Sequence, residues 1–162
     1  MKLAWMGRYR EFVEALIHYC NIYAGTYRTD KMEYQGIRYS YSKIQVLEYL
    51  LESEESGENM SAIAARLGIT RSCFSKTVTR LAEDGLVEKI PRPGSKKEVL
   101  VRVLPLGRAL YEDYAERIYQ WHFLPMFEEM RDMPQDMIGE FSRALNASLR
   151  QSAYAREIEG EE

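Results

Sequence analysis

Apolar residues recur at three- and four-residue steps along most of the chain, which is the spacing of amphipathic helices. The stretches with this spacing are 8–24, 42–51, 61–67, 71–84, a long segment from Gly107, and a last segment from about Pro134. Pro125 is expected to end or kink the long helix, because proline removes a backbone hydrogen bond. Residues 25–40 and the acidic stretch "ESEESGEN" interrupt the pattern, and we expect loops or turns there.

After Gly85 the pattern changes from helical spacing to alternation. The segments "LVEKI" and "EVLVRVL" are rich in β-branched residues and alternate, which predicts two strands. Between them lies "PRPGSKK", which predicts an exposed hairpin loop whose tip carries Arg92, Lys96 and Lys97. The chain is therefore predicted to be mainly α-helical, with one two-stranded hairpin.

Only three residues separate the two short helices that precede this hairpin. Gly68 stands where a helix C-terminus favours a left-handed residue. Thr70 follows at the position where a hydroxyl can cap the next helix. Two helices joined by a short turn containing glycine form a helix-turn-helix, and the hairpin behind them would be its wing. The order of elements thus predicts a winged helix-turn-helix.

Composition is that of a single globular domain, with 162 residues of which 46% are apolar. No apolar run approaches the roughly 18 residues of a membrane span, and the first residues lack the apolar core of a secretory signal. We therefore expect a cytoplasmic protein with no membrane partner. The two cysteines, Cys20 and Cys73, do not suggest a disulfide framework, so we expect free thiols.

Charge is distributed unevenly along the chain, whose formal net charge is -3. Residues 66–97 contain eight basic and three acidic residues, whereas residues 111–162 contain five basic and twelve acidic residues. A basic block within an acidic chain predicts an anionic partner for that block. On charge alone, a solvated helix face is an equally good interpretation.

The second short helix separates packing residues from polar residues. At about 100° per residue, Phe74, Val78 and Leu81 share one side, and small hydroxyl groups share the opposite side with one lysine. Such a face can approach base edges in a major groove about 12 Å wide, and the helix N-terminus favours a phosphate. We predict groove contacts from Arg71, Ser72, Ser75, Lys76 and Thr79, and contacts to the DNA backbone or the adjacent minor groove from Arg92, Lys96 and Lys97 of the wing.

The segment "NMSAIAARLGITRSCFSKTVTRLAEDGLVEKI" resembles the DNA-binding core of the MarR family of bacterial transcription regulators. With the similar runs "YSKIQVLEYL" and "VLPLG" on either side, the resemblance covers about residues 40–110. It implies a homodimer with interlocking terminal helices, whose two winged helices bind one pseudo-palindromic site. The chain departs from the family pattern in the wing tip, "PGSKKE", and at Pro105, which replaces a threonine that would cap the next helix.

The resemblance also implies a domain organisation. Residues 1–150 would form a single MarR-like domain, and residues 151–162 an acidic tail that we expect to be disordered. Within the domain, the dimerisation helices would be 8–24 and 107–150, and the winged helix-turn-helix 40–105, with its helix-turn-helix at about 60–84 and its wing at about 86–104.

Cys20 and Cys73 are candidates for a redox switch. Cys73 lies at the N-terminal turn of the groove helix beside Arg71, where a thiolate is stabilised. Some members of the resembled family sense oxidants through a cysteine in the first helix, where Cys20 lies. The competing interpretation is that both are unreactive free thiols.

Trp5, His18 and Tyr41, with neighbouring tyrosines, are candidates for an effector pocket, because the resemblance implies a small phenolic or aromatic ligand. We favour the alternative that these aromatic residues form part of a dimer core. No His, Cys, Asp or Glu group has the spacing of metal ligands, so we expect no metal and no cofactor. No phosphate loop, nucleophile elbow or carboxylate pair indicates an enzyme.

The predicted function is therefore sequence-specific DNA binding by a homodimeric transcriptional regulator. We expect a repressor that binds a pseudo-palindromic operator in double-stranded DNA and is released by an aromatic ligand. The alternatives are a winged helix that docks an acidic protein without binding DNA, and a regulator that senses oxidants through its thiols.

Overall fold

The computed structural model describes residues 4–27, 32–91, 94 and 99–149 of the chain. It separates into two compact units, Met1–Ile44 and Gln45–Glu162. The second helix of the chain runs across the boundary between them. No helix in the described ranges is both long enough and apolar enough to cross a membrane.

The first unit begins with a 3-10 segment, Ala4–Tyr9, followed by helix α1, Arg10–Tyr27. Much of the apolar face predicted for α1 is exposed: Phe12 is 41%, Ile17 50% and Ile22 59% exposed. A helix whose apolar side chains reach solvent has a surface that another molecule can cover.

A short hairpin follows α1, in the region where the sequence predicted only a loop. Strands β1, Met32–Tyr34, and β2, Ile37–Tyr39, pair antiparallel, with Met32 opposite Tyr39. Gln35 and Gly36 connect them with positive φ angles of 48° and 82°, as a tight hairpin turn requires. The loop prediction was wrong here, since three alternating residues on each side are too few to stand out as strands.

Helix α2 spans Tyr41–Ser56, five residues further than predicted. The acidic stretch assigned to a solvated turn continues the helix, because its side chains have partners inside the fold. The hydroxyl of Ser53, which is buried, donates to the Tyr49 carbonyl oxygen at 2.6 Å. One Glu54 oxygen accepts from the Val103 N–H at 3.0 Å, and the other is paired with Arg108. The helix ends just before Gly57.

The helix-turn-helix has the predicted elements, α3 at Met60–Leu67 and α4 at Arg71–Glu83. Asn59 caps α3, and Gly68 ends it in the left-handed conformation at φ 74°. The Thr70 hydroxyl caps α4 by accepting from the Cys73 N–H at 3.2 Å. The buried apolar residues of the second unit are Val46, Leu47, Leu50, Ile63, Ala64, Phe74, Val78, Leu81, Leu86, Val87, Val103, Leu110 and Tyr114.

The wing strands are β3, Val87–Pro91, and β4, Val99–Val103. They pair antiparallel, with Val87 opposite Val103 and Pro91 opposite Val99. At the base of the wing, the Leu104 N–H donates to the Leu86 carbonyl oxygen at 2.9 Å. This bond, together with that from the Val103 N–H to Glu54, attaches the wing to α2 and to the segment that follows α4.

The chain ends in a series of helices: α5 at Pro105–Ile118, a π-helical turn at Tyr119–Phe123, α6 at Leu124–Glu129 and α7 at Gln135–Leu149. As predicted from Pro105, α5 has no side-chain cap. The Tyr111 hydroxyl donates to Glu48 at 2.9 Å, and burial together with this bond raises the pKa of Tyr111 to about 12.

The apolar face predicted for the long C-terminal helix is buried at Leu110 and Tyr114 of α5, and exposure increases beyond α5. Trp121, in the π-helical turn, is 77% exposed, and α7 has no buried residue. The predicted tail, residues 151–162, lies outside the described residues. Together, these elements confirm the predicted fold class, a mainly α-helical winged helix-turn-helix with a two-stranded wing and flanking N- and C-terminal helices.

Candidate nucleic-acid interface

Helix α4 is oriented by its buried side. Phe74, Val78 and Leu81 are fully or almost fully buried, and the Thr70 cap fixes where the helix begins. The opposite side is therefore presented to solvent. We call this exposed side the groove face; its members are Arg71, Ser72, Ser75, Lys76, Thr79 and Arg80. Arg80 extends the set that was predicted from the sequence.

The cations of the groove face have no acidic partners. In the part of the chain that the structure describes, Arg71, Lys76 and Arg80 form no ion pair with a carboxylate. Most other described arginines are paired, namely Arg10, Arg66, Arg102, Arg108, Arg117, Arg131 and Arg143. Unneutralised positive charge is thus concentrated on α4, where an anion could bind it.

Arg66 does not belong to this charged surface, although it lies in the same basic segment of the sequence. Its guanidinium is 2.7 Å from Glu52 and 3.2 Å from Glu58, and it stacks over the Tyr49 ring at 4.5 Å. The hydrogen bond to Glu52 is the main cause that raises the pKa of Arg66. Its charge is used in joining α3 to α2.

Two threonine hydroxyls on α4 bond within the protein. Thr77 donates to the Cys73 carbonyl oxygen at 3.1 Å, and Thr79 donates to the Ser75 carbonyl oxygen at 3.0 Å. The Thr79 oxygen also accepts from the Lys89 ammonium of β3 at 2.8 Å. Lys89 is exposed, and it was not among the predicted site residues, because nothing in the strand pattern distinguishes it from an ordinary surface lysine.

The described part of the wing has one ion pair, which lies on the face opposite Lys89. Arg102 of β4 lies 3.1 Å from Glu88, its direct neighbour across the ribbon. The predicted backbone contacts of the wing tip, Arg92, Lys96 and Lys97, lie outside the described residues. In the described part of the wing, Lys89 of β3 is joined to the groove face through Thr79.

The residues predicted for redox and ligand sites lie mostly at the surface. Cys20 and Cys73 are exposed free thiols. Trp5 is 72% exposed, His18 is exposed, and Tyr41 is half-buried with its ring 6.2 Å from that of Tyr23. No group of His, Cys, Asp and Glu within the described ranges could hold a metal ion.

One cavity of about 460 Å³ lies within the second unit, lined by the C-terminal half of α2, the start of α3, both strands of the wing and Arg108 of α5. Two of the charged side chains at its edge are satisfied: Glu54 by Arg108, and Glu58 by Arg66. This cavity is separate from the pocket predicted around Trp5, His18 and Tyr41, all of which belong to the first unit.

Comparison with known proteins supports the winged helix-turn-helix fold. The sequence model of the MarR family matches residues 39–98, which include α2, the helix-turn-helix and the first strand of the wing. No curated protein matches the chain. Among solved structures, the chain is similar to the PcaV transcriptional regulator from Streptomyces coelicolor, solved in complex with its natural ligand. The identity is 16%, the match covers 91% of this chain and 95% of PcaV, and the TM-score is 0.59.

Two further structures have the same fold. A mutant of MarR from E. coli, complexed with operator DNA, is 18% identical, with 68% of this chain and 76% of that chain covered and a TM-score of 0.51. CouR from Rhodococcus jostii, bound to p-coumaroyl-CoA, is 24% identical, with 72% and 77% covered and a TM-score of 0.54.

The fold and the groove face together define a winged helix-turn-helix protein. The resemblance predicted from the sequence is confirmed, since the sequence model of the MarR family matches residues 39–98.

Proposed function

We propose that this protein is a sequence-specific, DNA-binding transcriptional regulator. Helix α4 inserts its groove face into the major groove, and the wing lies along the phosphate backbone. In this arrangement Arg71 and Ser72, at the helix N-terminus, bind a phosphate, while Ser75 and Lys76 face the base edges. The operator DNA bound by the similar E. coli MarR supports the proposal.

The observation that carries the proposal is the unpaired charge of the groove face. Arg71, Lys76 and Arg80 have no carboxylate partner among the described residues, in a protein whose net charge is -3. The residues between them on the exposed side are Cys73 and small hydroxyl residues, which leave room for the helix to approach the base edges. A merely solvated helix face would gain from neutralising carboxylates, as most other described arginines do.

We also propose that the functional form is a homodimer. Exposed apolar side chains on α1 and α7, such as Ile17, Ile22, Phe141 and Leu149, offer surfaces that a second copy would bury. In a two-fold dimer the two α4 helices would enter successive major grooves about 34–36 Å apart, which calls for a pseudo-palindromic operator.

The first test is selection of genomic fragments with the purified protein, followed by binding measurements on the selected fragment. We expect Arg71→Ala, Lys76→Ala and Arg80→Ala each to weaken binding by about tenfold, and Ser75→Ala and Lys76→Ala to reduce the preference for the selected sequence. Lys96→Ala and Lys97→Ala should weaken binding to all DNA alike, because phosphate contacts carry no sequence information.

The matched control is Arg131→Ala, which removes the same charge from the loop after α6, where Arg131 is paired with Glu128. It should leave DNA binding unchanged. If the three groove-face variants bind DNA as tightly as this control, α4 is not the helix that contacts the bases. If the wild-type protein selects no DNA but retains an acidic protein, the alternative of a winged protein-interaction module is correct instead.

We propose further that the regulator is a repressor released by a small phenolic or aromatic ligand. CouR bound to p-coumaroyl-CoA supports this class of effector, as does the stacked pair Tyr19 and Tyr23, with ring centroids 5.8 Å apart, in the first unit. Titration of phenolic acids into the protein–DNA complex should release the DNA, and a reporter under the operator should then be induced. Release by oxidants that depends on Cys20 or Cys73 would favour the redox alternative.

A further inference from the structure

Lys89 lies on the face of the wing that is turned toward α4. Side chains alternate along a strand, so Lys89 shares its face of β3 with Val87, which is buried in the core. Glu88, between them, points the other way and pairs with Arg102 across the ribbon. The described part of the wing thus carries one neutralised cation, Arg102, on the face opposite Lys89, while Lys89 itself has no carboxylate partner in the described ranges.

The ammonium of Lys89 connects the wing to the groove face through Thr79. Its Nζ donates to Thr79 Oγ1 at 2.8 Å, while the same hydroxyl donates to the Ser75 carbonyl oxygen at 3.0 Å. The only hydrogen of the Thr79 hydroxyl is therefore used inside α4, and one of its two lone pairs is used by Lys89. An ammonium has three N–H donors, so two donors of Lys89 remain after this bond.

We propose that Lys89 is a DNA-contacting residue and also the positioning residue for Thr79. One of its N–H groups holds the Thr79 hydroxyl, and the remaining two bind a phosphate where the wing and α4 converge on the duplex. Lysine suits this role because its ammonium is a compact charge with rotatable donors. The inference rests on the proposed function, and it adds an interface residue that lies outside both α4 and the wing tip.

This role has a consequence for Thr79. With its hydrogen committed to Ser75 and one lone pair to Lys89, the hydroxyl can only accept a further bond. Thr79 would then prefer a donor, such as the exocyclic amine of adenine or cytosine in the major groove. Removal of Lys89 would leave the hydroxyl held by Ser75 alone, so that it could rotate its hydrogen toward another acceptor, and this would weaken the preference for a donor.

The salt dependence of binding tests this role, because it counts neutralised phosphates. For the selected fragment, Lys89→Ala should lower the slope of log affinity against log salt by about 0.9 and weaken binding at about 0.1 M salt by about tenfold. Lys89→Arg should keep the wild-type slope. Thr79→Val should also keep the slope but reduce the ratio of specific to non-specific affinity, and it should add little when Lys89 is already alanine, since the two residues act as a unit.

Arg102→Ala is the matched control, because it removes an exposed cation from the opposite face of the same wing. It should leave the salt slope unchanged. A Lys89→Ala slope equal to that of the wild type and of this control would overturn the inference, while the groove-face variants would still report on the proposed function. If the wild-type protein itself shows no salt-dependent DNA binding, the proposed function fails first, and this inference fails with it.

Discussion

Arg66 and Arg71 are five positions apart in one basic segment, yet only Arg66 is neutralised by carboxylates in the folded chain. Arg66 is held by Glu52 and Glu58 from α2 and the segment after it, whereas Arg71 has no carboxylate partner in the described ranges. Because those acids are 8 to 14 residues away in sequence, a local charge count cannot show the difference. The unpaired cations that a phosphate could use are thus a subset of the sequence's basic residues, and tertiary contacts select that subset.

Gly107 provides a test of packing at the base of the wing. A Cβ at this position would clash with the Leu86 carbonyl oxygen and would lie 2.9 Å from Val103 Cγ1. The Leu86 oxygen cannot move freely, since it accepts the Leu104 N–H. We expect Gly107→Ala to lower the free energy of unfolding by about 1–3 kcal/mol, because overpacking against backbone forces the wing base to shift. Urea denaturation at a fixed protein concentration would measure the change.

Gly25→Ala is the control for this experiment. Gly25 lies in α1, where a Cβ would have no neighbouring atom within 4 Å, and its φ is not positive. Alanine in a helix is favoured over glycine by roughly 0.5–1 kcal/mol, so this variant should be unchanged or slightly more stable. Equal denaturation midpoints for the two variants would show that the wing base tolerates a methyl group.

At the scale of elements, local sequence signals predicted the helix-turn-helix correctly. They failed to predict the end of α2, which is determined by long-range contacts. Asn59, Gly68 and Thr70 cap α3 and α4, and these residue types indicate helix ends in the sequence itself. The end of α2 carries no such signal. Its acidic final turns look like a solvated loop until Arg66 and Arg108, far along the chain, supply the partners that hold them in a helix.

The candidate interface likewise contains residues that the sequence pattern predicts and one that only the folded structure shows. The period of α4 predicts which residues face outward, since Phe74, Val78 and Leu81 follow the helical repeat. The role of Lys89 could not be predicted from the sequence, because it depends on how the wing folds back over α4. The sequence of a two-stranded ribbon does not specify that orientation locally. Patterns of single elements therefore predicted the groove face, and only the assembled winged helix shows the residue that joins it to the wing.

At the scale of the whole molecule, DNA binding should reduce the accessibility of Cys73 and leave that of Cys20 unchanged. Cys73 is exposed on α4, three residues before Lys76 and seven before Arg80, so it lies on the same stripe of the helix. Cys20 is exposed on α1. In a dimer that reads DNA with α4, the duplex covers Cys73, while the accessibility of Cys20 is set by the dimer alone.

Alkylation of single-cysteine variants measures this difference directly. In Cys20→Ser, which leaves Cys73, saturating operator DNA at low salt should slow alkylation by at least about fivefold, and added salt should restore the rate as the complex dissociates. In Cys73→Ser, which leaves Cys20, the same DNA should leave the rate unchanged. A Cys73 rate that is insensitive to bound DNA would remove α4 from the interface. Equal protection of both thiols would instead indicate that DNA binding changes the dimer as a whole, rather than covering one helix face.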